Sequence, residues 1–195
     1  MKILNLRHIA LLMLLPGAYL IQSCATKKEV VPTADAYTLD VLWSQTDANV
    51  QLRMLSETMS TAGWLMQYAD QNRGKRPTVL VAPIRNTTGQ RVDSQQLQIE
   101  FERMLQNRAT TTVMTGLAVA DTSRMSPAIP IAELLAMGRS HNAEYIVVTE
   151  LSARAAPGTP HLTNYQINVE LLDLKTQNRV WRDVRTIRRN ETLSN

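Results

Sequence analysis

The sequence predicts an α+β domain in which a small mixed β-sheet carries packed helices and ends in a C-terminal β-hairpin. Three observations lead to this prediction. Apolar residues recur at helical spacing in residues 47–72 and again after Asp93. An aliphatic and β-branched run, "TVLVAPI", has the length of a strand that is covered on both faces. Residues 165–171 alternate between apolar and polar with a period of two.

Residues 1–23 have the pattern of a secretory signal peptide. Lys2 and Arg7 precede an apolar core, "IALLMLLPGAYLI", which is shorter than the roughly 20 residues that a membrane-spanning helix needs. The core ends in "IQSC", which resembles the bacterial lipobox, and we predict that Cys24 is lipidated. An unpaired thiol is a liability in an exported protein, which favours a lipid anchor. An ordinary signal peptide followed by an incidental cysteine stays open as the alternative.

The rest of the chain divides into a lipidated tether over residues 24–37, a single globular domain over 38–190 and a tail over 191–195. Without the signal peptide the chain keeps 19 basic side chains against 17 acidic ones, so the pI of 9.5 reflects a small surplus. This surplus does not indicate a nucleic-acid partner. Because Cys24 is the only cysteine, neither a disulfide framework nor a thiolate metal cluster is available.

The first predicted helix spans residues 47–72 and ends at "NRGKRP", where Gly, basic residues and Pro are stop signals. Its apolar residues step by three and four positions, which places them on one buried face. Trp64 is also expected in the core, whereas Trp43, near the tether, is predicted to be an exposed anchor. The residues expected on the buried face are Leu52, Leu55, Met59, Ala62, Leu65, Met66 and Ala69.

The middle of the chain alternates strands, loops and helices. After the strand "TVLVAPI", the polar stretch "RNTTGQ" predicts a loop, and Asp93 or Ser94 is placed to cap a second helix. "TTTVMTG" predicts the next strand, because Thr and Val favour pleated surfaces. On the second helix we expect Leu97, Phe101, Met104 and Leu105 to be buried and Glu100, Glu102 and Arg103 to be solvated.

The C-terminal third begins with a third helix, "IAELLAMGRS", and a turn around His141-Asn142. A strand is predicted from Tyr145 to Leu151. The period-two segment that follows, with its turn at Lys175 to Asn178 and its return from Arg179 to Ile187, predicts the closing hairpin.

The run "RPTVLVAPIRNTTGQRVDSQQLQIEFERMLQNR", followed by "TTTVMTG", resembles the core of the LpoB family of outer-membrane lipoproteins. In that family a strand ends in an Asn-rich loop with an Asn-x-Thr-like element, and a helix leads into the next strand. "HNAEYIVVTELS" is similar to a strand start of the family, and "YQINVELLDLKTQNRVW" is similar to its closing hairpin, with Val180-Trp181 as the aliphatic-Trp pair. The resemblance covers about residues 47–188, together with the lipobox.

This resemblance implies a lipid-anchored activator of a class A penicillin-binding protein, held at the periplasmic face of the outer membrane. Such a protein stimulates peptidoglycan synthesis by protein–protein binding, without catalysis. CsgG- and TolB-type domains share the strand–helix–strand pattern, so fold alone leaves a second hypothesis open. In it the chain is a homo-oligomeric subunit of an outer-membrane assembly, such as a CsgG-like secretion pore or a flagellar ring. The short tether favours that assembly, because a ring subunit sits close to its membrane.

No set of polar residues in the sequence predicts an active site, a metal site or a cofactor. His141 falls at a helix end and His161 in a loop, and neither has a partner at the spacing of metal ligands or of a proton relay. Glu144 and Glu150 flank a strand, where we expect them to be solvated. The sequence therefore predicts a binding protein rather than an enzyme.

The polar loop after the first strand is one candidate contact with a partner. It comprises Arg85, Asn86, Thr87 and Thr88, and a loop at the end of a buried strand often displays binding residues on a rigid scaffold. Simple turn chemistry explains the same residues equally well.

The basic stretch at the C-terminal end is the other candidate contact. Arg179, Arg182 and Arg185 begin it, and Arg188 and Arg189 continue it. Such a stretch fits a charged edge strand that resists aggregation. It also fits the rim of a site for an acidic partner surface, where charge sets the association rate and the specificity.

Overall fold

The computed structural model describes residues 44–115, 126–159 and 161–190, which all belong to one compact unit, Pro32–Asn195. The predicted signal peptide, the tether with Cys24, Trp43 and the tail lie outside the described residues. In the described part, the elements in chain order are α1 (Gln45–Ser60), α2 (Gly63–Gln71), β1 (Thr78–Val81), β2 (Arg85–Thr87), α3 (Ser94–Arg108), β3 (Thr112–Met114), α4 (Ile131–Ser140), β4 (Tyr145–Ala155), β5 (Leu162–Asp173) and β6 (Arg179–Asn190).

The strands form one mixed sheet in the order β3-β1-β4-β5-β6, with β2 also paired to β4. The pairs β1–β3, β1–β4 and β2–β4 are parallel, whereas β4–β5 and β5–β6 are antiparallel. The predicted α+β class, with its small mixed sheet and C-terminal hairpin, is confirmed.

β1 and β2 behave as one interrupted strand along β4. Val81 pairs with Val147 and Arg85 pairs with Glu150. From β1 to β2 the chain therefore advances four residues, while β4 advances three. Pro83 lies in the extra stretch, where a residue without a backbone N–H is tolerated. The prediction of a plain loop at "RNTTGQ" was therefore wrong for its first half, because Arg85–Thr87 is paired with β4.

The two faces of the sheet are covered unequally. On one face, side chains of α1 and α3 form the larger core with alternate residues of β1, β4 and β5; its largest fully buried members include Leu52, Leu55, Met59, Leu97, Phe101 and Leu105. On the other face α4 packs Leu134 and Leu135 against Leu80 and Ile146. Because α4 covers only β1, the start of β4 and the end of β5, the rest of that second face carries no helix among the described elements.

Helix starts follow the local sequence. Ser44 and Asp47 form a reciprocal capping box at α1: the Ser44 side chain accepts from the Asp47 backbone, and Asp47 Oδ2 accepts from Ser44 N at 2.9 Å. Asp93 caps α3 by accepting from Gln96 N at 2.8 Å, which confirms one of the two predicted caps.

Three helical expectations needed correction. Residues 47–72 form two helices rather than one, because the chain leaves α1 at Thr61 and restarts at Gly63. The new direction turns Met66 outward, with 69% of its surface exposed, while Trp64 stays in the core. On α3, Glu102 is buried rather than solvated. It accepts a hydrogen bond from Gln98, which also donates to the Val81 carbonyl of β1, so this flank of the helix faces β1.

Candidate functional site

The open part of the second sheet face is the candidate site, and we call it the outer face. It consists of those side chains of β2, β4, β5 and β6 that point away from α1 and α3. Paired residues of neighbouring strands share a face, so the register divides the outer face into rows. One row contains Arg85, Glu150, Asn168 and Val184; the next contains Thr87, Ser152, Gln166 and Thr186; the last contains Arg154, Asn164 and Arg188.

The register brings the two predicted contact clusters onto this one face. Arg85 lies in β2 and Arg182 in β6, and β4 and β5 separate them, which corresponds to roughly 14 Å at about 4.8 Å per strand. Arg85 Nη1 donates to Glu150 Oε2 at 2.8 Å, and both side chains are about one-third exposed. Glu150 is thus paired rather than simply solvated.

The loop residues have different roles. Asn86 is fully buried, so it has no surface for a partner; its Oδ1 accepts from Thr88 N and Thr88 Oγ1, and its Nδ2 donates to Gln90 O at 2.8 Å. Thr87 Oγ1 donates to the Leu151 carbonyl at 2.8 Å. Asn86 therefore shapes the loop, and this corrects its prediction as a direct contact.

The C-terminal arginines point in different directions. Arg179 and Arg182 both approach Glu170 Oε1, at 3.1 and 3.3 Å, on the outer face. Residues three apart in a regular strand face opposite ways, but a β-bulge opposite Leu171 and Leu172 brings these two together.

Two arginines of the same stretch lie on the helical face of the sheet instead. Arg185 Nη2 pairs with Asp183 Oδ2 at 3.1 Å, and Asp183 also accepts from Thr58 of α1. Arg189 is 3% exposed, and its Nη2 lies 2.5 Å from Asp47 Oδ1. The grouping of Arg185 with Arg179 and Arg182 was therefore wrong, because strand alternation separates them.

A second candidate is a cleft of about 570 Å³ between α2, α4 and the β5–β6 turn. At its wall the Tyr68 hydroxyl donates to the Glu144 carboxylate at 2.7 Å, and Thr78 N donates to the same carboxylate at 2.8 Å. Burial, followed by the hydrogen bond to Glu144, raises the pKa of Tyr68 to about 12. Burial acts to raise the pKa of Glu144, but the hydrogen bonds from Thr78 and Tyr68 outweigh it and lower that pKa overall. These groups tie α2 to β1 and the start of β4, so Glu144 is not the simply solvated strand end that we predicted.

Glu102 is a buried carboxyl group on α3. It is 6% exposed, and it accepts from Gln98 Nε2 at 3.1 Å, whereas Gln98 Oε1 is buried and has no hydrogen-bond partner in the part of the chain that the structure describes. Burial raises the pKa of Glu102, and the hydrogen bond from Gln98 opposes this only in part. A neutral Glu102 carries a proton that it can donate, whereas an ionised carboxylate only accepts.

The histidines have structural positions. His141 caps the C-terminal end of α4, where its Nδ1 donates to the Met137 carbonyl at 3.0 Å. His161 is exposed between β4 and β5. Within the described ranges, no cluster of three or more His, Cys, Asp or Glu residues could hold a metal ion, and no helix is long and apolar enough to cross a membrane.

The outer face includes residues that the sequence analysis did not select. Arg154 was missed because the predicted strand ended at Leu151, whereas β4 continues to Ala155. Asn164 was missed because the alternating segment was predicted from Tyr165, whereas β5 begins at Leu162. Val184 lies within the predicted return strand, where only the basic residues were selected. The period-two pattern of the chain after Leu162 was the available signal, since extending the same alternation through β4 places Arg154 on the polar side.

Comparison with known proteins identifies the family. The model of the family described as "Peptidoglycan-synthase activator LpoB" matches residues 47–187, which is more than half of the chain. No curated protein sequence matches. The fold is similar to the LpoB C-terminal domain from Salmonella enterica, with 15% identity and a TM-score of 0.51 over 72% of this chain and 98% of that one. The corresponding Escherichia coli domain gives 14% identity and the same TM-score and coverage. The chain therefore belongs to the LpoB family of peptidoglycan-synthase activators.

Proposed function

We propose that this protein is a lipid-anchored activator that binds a class A penicillin-binding protein and stimulates its synthesis of peptidoglycan. The family match over residues 47–187 is the observation that carries this proposal. The geometry is compatible with binding: one sheet face is filled by α1 and α3, while much of the other carries polar side chains with no helix packed on them among the described residues. In this proposal the protein contributes a docking surface, and the chemistry stays with the synthase.

The direct test is reconstitution. Full-length protein extracted in detergent is added to the class A synthase of the same bacterium, and glycan polymerisation and crosslinking are followed over time. We expect both binding and a faster rate that saturates with the added protein. A synthase whose rate and binding signal do not respond at saturating concentration refutes the partner assignment.

We further propose that the protein is anchored to the outer membrane, on its periplasmic face, through lipidated Cys24. Acyl chains contribute about 0.8 kcal/mol per buried methylene, and stable anchoring takes more than one chain. Cys24→Ser is expected to move the protein from the membrane fraction to the soluble periplasmic fraction. Ser23→Ala, which keeps both the cysteine and a small residue before it, is the matched control and stays with the membrane. Retention of the Cys24→Ser protein in the membrane fraction contradicts the anchor.

A further inference from the structure

The last row of the outer face, which we call the arginine row, consists of Arg154, Asn164 and Arg188. Arg154 pairs with Asn164 across β4–β5, and Asn164 pairs with Arg188 across β5–β6. The three residues therefore lie side by side on one face, and the two arginine Cα atoms are about 10 Å apart, two strand spacings. Both arginines are exposed.

The arginine row differs in charge from the rest of the outer face. The other outward-facing arginines are next to carboxylates: Arg85 pairs with Glu150, and Arg179 and Arg182 share Glu170. Among the described residues, neither Arg154 nor Arg188 forms an ion pair. Because Arg179 and Arg182 share a single carboxylate, they leave one positive charge over, whereas the arginine row leaves two among the described residues.

The surroundings of the row resemble a protein-binding surface more than a simple solvated edge. The neighbouring row is neutral and hydrogen-bonding, with Ser152, Gln166 and Thr186, and beyond it Val184 is 37% exposed. Asn164, which pairs with both arginines across the strands, has a buried Oδ1 that accepts no hydrogen bond from the described residues. Interfaces combine a small apolar centre with polar groups around it, and Arg is enriched there because its planar fork binds carboxylates with two hydrogen bonds.

We propose that the arginine row is the docking point for an acidic, carboxylate-bearing segment of the partner protein. This inference rests on the proposed function for the identity of that partner. The carboxylates bind Arg154 and Arg188, and the neutral row and Val184 contact the remainder of the segment. Charge here sets the association rate and the choice of partner more than the area of contact does.

The test compares two double variants with the same change in net charge. Arg154→Glu with Arg188→Glu reverses the arginine row, and Arg53→Glu with Arg103→Glu reverses two exposed arginines of α1 and α3 on the opposite side of the sheet. We expect the first to weaken binding of the class A synthase by at least about tenfold, chiefly through a slower association rate, and the second to leave binding near wild type. The difference shrinks at about 1 M salt, where the Debye length is about 3 Å.

A second probe separates this inference from the proposed function. Fluorescein-labelled deca-glutamate is titrated with the full-length protein at low salt, and anisotropy reports binding. Wild type and the α1–α3 variant should bind this peptide, and the arginine-row variant should not. If wild type binds the peptide through the arginine row but does not bind the synthase, the partner assignment fails. The inference that the arginine row binds acidic segments then stands. Equal behaviour of the two double variants with both probes overturns the inference.

Discussion

The ion pair between Asp47 and the buried Arg189 gives the sharpest test of the packing described above. Asp47 lies in the first turn of α1 and Arg189 is the last residue but one of β6, and only one of the arginine nitrogens, Nη2, reaches the carboxylate. The Arg189 side chain is 4% exposed, and its Nε and Nη1 are buried and have no hydrogen-bond partners within the described ranges. Removing the carboxylate charge leaves a buried guanidinium without any counter-charge among the described residues.

Asp47→Asn is the appropriate change, because the amide keeps an oxygen that can still accept from Ser44 N in the capping box. Breaking a buried pair from one side costs about 3–5 kcal/mol. The melting temperature should fall by about 6–12 °C for a loss near 3 kcal/mol in a chain of this size. The matched control is Glu150→Gln, which breaks the partly exposed pair with Arg85 and should cost under about 1 kcal/mol.

The assay is urea unfolding at neutral pH, followed by tryptophan fluorescence, to which Trp64 in the core and the half-buried Trp181 contribute. Adding Arg189→Met to Asp47→Asn should recover much of the lost stability, because the double variant no longer buries an unpaired charge. We expect a coupling energy of about 2–3 kcal/mol from the double-mutant cycle. An Asp47→Asn protein that unfolds within about 1 kcal/mol of wild type would refute the reasoning that burial decides the strength of this pair.

Three further predictions concern the buried polar groups and helix packing. Burial raises the folded-state pKa of Glu102, so the contribution of this group to stability is present at acidic pH and is lost as pH rises. In urea unfolding, Glu102→Gln should therefore stabilise the protein at pH 7 but not at pH 4. Equal effects at both pH values would contradict this. Gly138→Ala places a Cβ 2.3 Å from Leu174 Cδ1, and the overpacking should cost about 1–3 kcal/mol of stability. This cost should exceed the gain in helix propensity of about 1 kcal/mol, so the melting temperature should fall. The control is Gly63→Ala, whose new Cβ has no atom of the described residues within 4 Å and should cause no such drop. Similar behaviour of the two variants would count against the steric argument. Asn86→Ala should cost about 1–3 kcal/mol and speed amide exchange in residues 86–90, whereas unchanged exchange would show that other groups hold the loop.

Local patterns in the sequence were sufficient for most of the fold. The aliphatic run of β1, the three-and-four spacing on α3 and the alternation in β5 all report which side of an element is buried, and the structure places Val79, Leu97 and Ile167 accordingly. The break between α1 and α2 had a signal, since Gly63 disfavours a continuous helix, but the apolar spacing ran through it.

The features that sequence reasoning missed depend on distant pairing. β2 is polar and short, and it is a strand only because β4 offers a partner beyond Pro83. Arg189 looks like any other surface arginine in the sequence, and only its position opposite Asp47 makes it buried. The outer face likewise depends on the register of three long strands, which sets Arg154 beside Asn164 and Arg188.

The contact between Asp47 and Arg189 also ties the first described helix to the last described strand. Asp47 lies in the first turn of α1 and Arg189 lies next to the last residue of β6, so two elements that are far apart in the sequence meet in space. Neighbouring elements of this kind can be joined by a linker while the chain is opened elsewhere, which keeps their contact. We therefore expect a circular permutant that links β6 to α1 to keep the contact between Asp47 and Arg189.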